Sequence, residues 1–170
     1  MTLRDLCGVD LWHGRIGPLE VRIRGACRGE AGRIEDFYRS LSSETLYSRF
    51  MSIVKDPRPY IERVFDSQGI VIIAEAGGRV IGVAEAVPAT GDTAEVGVVV
   101  HDEFQGMGVG RALTMALLKA ARIAGIRRAK AYVMPGNYRA LRLARKAGFT
   151  IENNYGDMLE LGLDLSPING

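Results

Sequence analysis

Three glycines at alternate positions, Gly106, Gly108 and Gly110, interrupt the chain between an apolar β-branched run and a strongly helical segment. The run covers residues 95–100 and closes at His101, Asp102 and Glu103; the helical segment covers 111–124. A strand that opens through glycines into a helix is a ready anion site. The N–H groups of the first helical turn have no partner inside the helix, and the helix dipole adds partial positive charge. A side chain at these positions would hold a phosphate away from the backbone, or forbid a positive φ where one is needed. The turn Gln105-Gly106-Met107-Gly108-Val109-Gly110-Arg111 is therefore read as a pyrophosphate cradle, although a plain strand-to-helix connection has the same pattern.

Spacing narrows the kind of pyrophosphate. A Walker A loop ends in Gly-Lys-Ser/Thr, whereas this one ends in Gly110-Arg111-Ala112, which disfavours an NTPase. A dinucleotide-binding fingerprint has Gly-x-Gly-x-x-Gly after the first strand, with an acid about 20 residues further on. Here the glycines alternate, the loop lies in mid-chain, and no acid follows at a strand end.

The rest of the composition removes other classes. A chain of 170 residues that is 47% hydrophobic and 25% charged fits one folded domain rather than a disordered segment. A net charge of +2 makes no case for direct nucleic-acid binding. No apolar run approaches the roughly 18 residues of a membrane span, and the N-terminal residues have no signal-peptide core. Cys7 and Cys27 are not in a metal-binding spacing, and His13 has no second ligand near it, so no metal is expected. Two thiols suit a reducing cytoplasm, with a Cys7–Cys27 disulfide as the less favoured reading.

Periodicity places the elements. Residues 1–20 are poorly patterned and read as an N-terminal extension (a strand, an arm or a tail), 21–165 as the domain, and 166–170 as a tail. A strand at 21–24 precedes a helix at 30–41 with Ile34, Phe37, Tyr38 and Leu41 on one face. Ser43 is the expected N-cap of a short helix through Leu46, Tyr47 and Phe50. Pro57 and Pro59 break it, and 60–65 begin another. Strands at 69–75 and 79–87 flank Gly77-Gly78, and a third follows at 93–100. After the glycine turn, Leu113, Ala116, Leu117 and Ala120 recur at core spacing. A strand at 129–133, a helix at 138–147 ending at Gly148, and a hairpin of 149–153 with 158–163 complete an α+β order.

The form Gln-x-x-Gly-x-Gly directly after an apolar strand resembles the acyl-CoA loop of the GNAT superfamily of N-acetyltransferases. Two other stretches agree. Asn137-x-x-Ala140-x-x-Leu143 leading to Gly148-Phe149 is similar to the segment that crosses the cofactor in that superfamily. Phe37-Tyr38-Arg39-Ser40-Leu41-Ser42, with Leu46-Tyr47-x-Arg49-Phe50, resembles the acceptor-side helices of its Pat-type protein acetyltransferases. The resemblance covers residues 21–163. It implies a GNAT fold, with a mixed central sheet, one splayed strand pair and helices on both faces.

The resemblance also implies acetyl-CoA as co-substrate and a catalytic glutamate at Glu95, with Glu85 as second candidate. A lysine amine has a pKa near ~10.4, so an attacking amine needs a proton acceptor where the thioester arrives. Val98, Val99 and Val100 are expected along the pantetheine arm, their backbone standing in for a strand partner. The phosphates are expected at Gln105, Gly106, Met107, Gly108, Val109, Gly110 and Arg111, with Asn137 and Arg145 from the last helix. A backbone N–H near Val98 is the expected oxyanion donor. The tyrosine that many relatives use as an acid is replaced by Ala144, with Tyr138 and Tyr155 nearby. The expected partner is a protein presenting a lysine to a monomer or homodimer. A small amine as acceptor, or a non-catalytic acyl-CoA sensor, are the alternatives.

Overall fold

The computed structural model of the chain describes residues 6–166, so the terminal parts of the expected extension and tail, 1–5 and 167–170, lie outside the described residues. Eight strands form one sheet: β1 (Asp10–Ile16), β2 (Leu19–Gly25), β3 (Ile70–Ala76), β4 (Arg79–Pro88), β5 (Thr93–Val100), β6 (Arg128–Val133), β7 (Thr150–Asn154) and β8 (Leu159–Asp164). Their spatial order is β1-β2-β3-β4-β5-β6-β8-β7. Every neighbouring pair is antiparallel except β5 and β6, which run parallel. A parallel pair needs a crossover, and α4 (Val109–Ile123) supplies it.

Alternation along the strands builds a core on each face. Ile70, Ile72 and Ala74 of β3 join Val109, Leu113 and Leu117 of α4, with Leu141 of α5 (Tyr138–Ala147) and Phe149. Val71 and Ile73 point the other way. They pack with Val83 and Val99 under α1 (Ala31–Arg39), α2 (Ser43–Phe50) and α3 (Arg58–Asp66). α4 packs on β3, β4 and β5 because its apolar positions recur on one stripe, and Gly82 lets it approach closely: a Cβ there would lie 2.7 Å from Leu113 Cδ1.

Of the three readings of residues 1–20, the strand is the one found: residues 10–16 form an edge strand paired with β2. The sequence signal was masked because Trp12, His13 and Gly14 break the apolar alternation. The N-cap of α2 is Ser42, whose hydroxyl accepts from Thr45 N–H at 3.1 Å, not Ser43. Cys7 and Cys27 are joined as a disulfide that ties the segment before β1 to the turn after β2, where Gly25 leaves room for the Leu6 carbonyl.

The two cysteines stand 20 residues apart in sequence. A cross-link closing a loop of that size stabilises a fold by about 3 kcal/mol if loop entropy dominates. Calorimetry with and without dithiothreitol should show a lower melting temperature in the reduced protein, and Cys7→Ser/Cys27→Ser should melt with the reduced form. Identical transitions would show that the bond contributes nothing to stability.

Candidate functional site

The parallel pairing of β5 with β6 covers only Thr93, Ala94 and Glu95 against Arg128, Ala129 and Lys130. Beyond Glu95, β5 continues to Val100 on β4, and β6 continues to Val133 on β8. The two strands therefore part, leaving a wedge with its apex at Glu95. His101 N–H donates to Ile81 C=O at 2.8 Å. In an antiparallel ladder bonded pairs alternate, so Val99, Gly97 and Glu95 spend their backbone groups on β4. Val96, Val98 and Val100 turn theirs into the wedge. The Val100 carbonyl is taken by Gln105 Nε2 at 3.0 Å, so the Val96 and Val98 edge stays open for an extended ligand.

At the wide end lies the glycine turn. Gly106 has φ +78° and Gly108 φ +109°, conformations that L side chains rarely adopt. Gly108 ends the turn as the N-cap of α4. The first helical bond runs from Ala112 N–H to Gly108 C=O, so the N–H groups of Val109, Gly110 and Arg111 have no partner within the helix. Gly110 is different: it has no positive φ, and a Cβ there would make only ordinary contacts, with Leu143 of α5 at 3.4 Å and Val100 at 3.6 Å. Gln105 is a tie rather than a free ligand, for it also donates to Thr45 Oγ1 and accepts from Arg139 Nη1 at 2.6 Å. Asp102 accepts from the Ser42 N–H at 2.9 Å, and from the Ser42 and Thr45 hydroxyls at 2.6 Å each. Burial raises the Asp102 carboxyl, but these hydrogen bonds outweigh it and hold the group at about 2.

Glu95, Gly97 and Val99 share the sheet face covered by α1–α3, since Val99 belongs to that core. Glu95 is exposed at the apex. Glu85, opposite Gly97 on β4, is 2% exposed and fully engaged. It accepts from Tyr38 OH at 2.6 Å, from Arg49 Nη2 at 2.8 Å and from Tyr60 OH. Burial and the Glu85 charge push both tyrosine hydroxyls above their usual range. A carboxylate held this way has no open approach for a reacting amine, so Glu85 is unsuited to the base role that sequence left to it. On the other wall, Lys130 and Tyr132 of β6 face the same side. Glu160 of β8 accepts from Tyr132 OH at 3.0 Å, from Lys130 Nζ at 3.3 Å, and from Asn153. Burial, the bond to Glu160 and the charges of Glu160 and Glu95 raise the Tyr132 hydroxyl.

The structure brings Glu95, Val98, Val100 and residues 105–111 to one wedge, and turns two expected residues away. Val99 spends its backbone on β4 and buries its side chain at 5% exposure. Arg145 lines a small hollow with Leu141, Phe149 and Ile151. Arg139, one of the three arginines at 139, 142 and 145, is the one at the turn. Asn137 caps α5, accepting from Ala140 N–H at 3.2 Å. Tyr138 is 74% exposed and Tyr155 57%, and Tyr155 leans on Glu160. Sequence reasoning missed Tyr132 and Glu160, although period-two parity from Lys130 reaches Tyr132. Among the described residues no helix is long and apolar enough to cross a membrane.

Known proteins share this fold. The model of the Acetyltransferase (GNAT) family matches residues 34–149. The Acetyltransferase Pat of Mycolicibacterium smegmatis is 31% identical over 144 residues, covering 77% of this chain and 43% of that protein. A mycothiol acetyltransferase of Pseudarthrobacter chlorophenolicus is 36% identical over 94 residues, covering 51% of this chain and 28% of that protein. The chain thus spans less than half the length of these relatives. The solved GNAT domain of S. lividans PAT superposes with a TM-score of 0.79 at 28% identity, covering 90% of this chain and 97% of that domain.

The Asp102 contacts give a pH test. Its carboxyl is held at about 2, against 3.8 for the free group. The stabilisation is therefore complete above 3.8 and disappears as pH falls from there through about 2. Asp102→Asn should lower the melting temperature by a few degrees at pH 7. The gap from the parent should close over that acidic window; a gap independent of pH would remove the ionised carboxylate as its cause.

Proposed function

We propose that this chain, which belongs to the Acetyltransferase (GNAT) family, moves an acetyl group from acetyl-CoA to the ε-amine of a protein lysine. The observation that carries the reading is the exposed Glu95 carboxylate at the apex of the wedge. The open Val96–Val98 edge leads from it to the unpartnered amides of the glycine turn. The fit to acetyl-CoA rests on the same features: an extended amide edge suits a pantetheine arm, and N–H groups at a helix start suit a pyrophosphate. Acetyl-CoA would supply an activated acyl group on a thiolate that leaves readily. The chain would do the rest.

Val109, Gly110 and Arg111 hold the phosphates through backbone N–H groups, and Val98 orients the arm. Glu95 takes the proton of the attacking amine, directly or through one water, so that the neutral form is available near pH 7. The open approach lies on the α1–α3 face, where Glu95 projects. Similarity to Pat over most of this chain supports a protein lysine as acceptor. A monomer or homodimer belongs to the same reading; so does the cytoplasm, on the resemblance alone, because the Cys7–Cys27 bond removes the free-thiol argument for it.

Incubation with acetyl-CoA and a bacterial lysate, followed by mass spectrometry, should yield new acetyl-lysines. Acetylation confined to small amines would replace the acceptor and keep the chemistry. CoA should raise the melting temperature far more than ATP or NAD; equal shifts would return the site to a general nucleotide binder. Glu95→Gln keeps shape but loses basicity. It should leave acetyl-CoA affinity nearly unchanged while kcat falls by about 10²–10⁴, with partial recovery at higher pH as more amine is deprotonated. An unchanged kcat would leave proton removal to water.

A further inference from the structure

Arg49 occupies a place that ordinary packing does not explain. It reaches from α2 across the acceptor face and lies against Gly97 of β5, two residues beyond Glu95. A Cβ on Gly97 would fall 2.8 Å from Arg49 Nε and closer still to Nη2 and Cζ, so the guanidinium edge lies directly over the strand backbone. Its Nη2 donates to Glu85 and to Tyr60 OH, each at 2.8 Å. The Phe50 ring stands 4.8 Å from Cζ and the Tyr60 ring 5.7 Å. The side chain is 16% exposed, and Nε is buried with no hydrogen-bond partner among the described residues.

A buried N–H without a partner is a cost that folded proteins rarely carry. The charge beside it is desolvated, so its field is less screened than at a surface. Glu85 lies opposite Gly97 on β4 and accepts from the Nη2 that overlies Gly97, so the guanidinium is the member of the pair above β5, the strand that borders the wedge. Gly97 lies between Glu95 and Val98, the stretch where the proposed acetyl thioester comes to rest. Two residues of strand are roughly 6–7 Å, which keeps Arg49 beside Glu95 without neutralising it through contact.

We infer that Arg49 is a catalytic electrostatic element: its guanidinium at Gly97 stabilises the negative charge that develops on the acetyl carbonyl oxygen. The inference rests on the acetyltransferase reading. In the step, the amine nitrogen forms a bond to the carbonyl carbon and the C=O electron pair moves onto oxygen. Its return expels the CoA thiolate while the amine proton goes to Glu95. Arg49 gains and loses no proton. The guanidinium charge opposes the charge on oxygen through its field, alongside the strand N–H groups. A cation at this spot also disfavours the ammonium form of an incoming lysine and so favours the form that attacks. Glu85, Tyr38 and Tyr60 act through Arg49 and are positioning residues.

Removing Arg49 alone strands a buried carboxylate at Glu85 and destabilises the fold. The test therefore pairs Arg49→Gln with Glu85→Gln, which removes both charges and leaves hydrogen-bonding groups. Infrared difference spectra with acetyl-CoA labelled with ¹³C at the carbonyl give a readout that needs no acceptor and no turnover. In the parent, binding should move the carbonyl stretch to lower wavenumber; in the double variant that shift should be largely lost at similar acetyl-CoA affinity. With Nα-acetyl-lysine N-methylamide as acceptor, kcat should fall by about 10²-fold, the lower end for losing one oxyanion donor, with KM for acetyl-CoA unchanged. Arg49→Lys should keep part of the spectral shift. An unchanged carbonyl frequency and kcat in a folded double variant would overturn the inference. If the parent binds acetyl-CoA but transfers nothing to any amine, the acetyltransferase reading fails, while the frequency comparison still shows whether Arg49 polarises the carbonyl.

Discussion

The separation of β5 from β6 after three register pairs is the constraint on which the rest of the molecule depends. β4 and β5 stay paired over seven positions, β6 and β8 over six. Each splayed strand is thus fully held on its outer side and open on its inner side. An open edge in the middle of a sheet would ordinarily invite another strand. Here its far end is closed by Gln105, which takes the Val100 carbonyl and is gripped in turn by Arg139 from α5. Leu143 of α5 packs over Gly110 at the same end. The wedge is kept open by what holds its two ends, and the one length of backbone left over is the length that suits an extended ligand.

The second dependence is the buried ion pair. Tyr38 comes from α1, Arg49 from α2, Tyr60 from α3 and Glu85 from β4, so one carboxylate gathers a side chain from each of the three helices on this face of the sheet. Burying charge of this kind is costly relative to an apolar cluster of the same volume. Stability alone is a weak reason to retain it. What it does supply is registry: four elements have one arrangement that satisfies Glu85, and that arrangement lays a guanidinium on Gly97. Asp102 does a similar job at the rim, fixing the start of α2 through Ser42 and Thr45. The α1–α3 face is therefore built by polar contacts on an apolar floor, whereas the α4 face is held by packing.

Strands and helices with clean periodicity were legible in the sequence. β3 to β5, α4 and α5 lie within a residue or two of where alternation and capping put them, and the glycine turn marked itself through its spacing. The edge strand β1 was not legible, because Trp12, His13 and Gly14 have no alternating apolar pattern; only its hairpin partner reveals it. Side-chain roles were harder. Glu85 and Glu95 look alike in sequence, two glutamates on neighbouring strands. Only the tertiary placement of Tyr38, Arg49 and Tyr60 buries one and leaves the other exposed. Arg145 was expected at the phosphates, yet it is Arg139 of the same helix that meets Gln105, and only the packing of α5 decides which helical face does so. The disulfide depends on Gly25 admitting the backbone of Leu6, a contact no spacing rule contains.

The sheet also separates two tasks that a smaller fold would have to combine. On the α4 and α5 side, the turn and wedge use backbone amides, so their recognition is insensitive to most side-chain changes. On the α1–α3 side nearly everything is side chain: Glu95, Lys130 and Tyr132 around the apex, and Glu160 with Asn153 behind them. The outermost strand, β7, is exposed along its whole length and carries Ile151 at 46% exposure. In the sheet β7 pairs only with β8, while its side chains reach further, Glu152 to Arg128 of β6 and Asn153 to Glu160 of β8. On the proposed reading, the acyl donor would be set by backbone geometry, and the acceptor by the few side chains that line the open face.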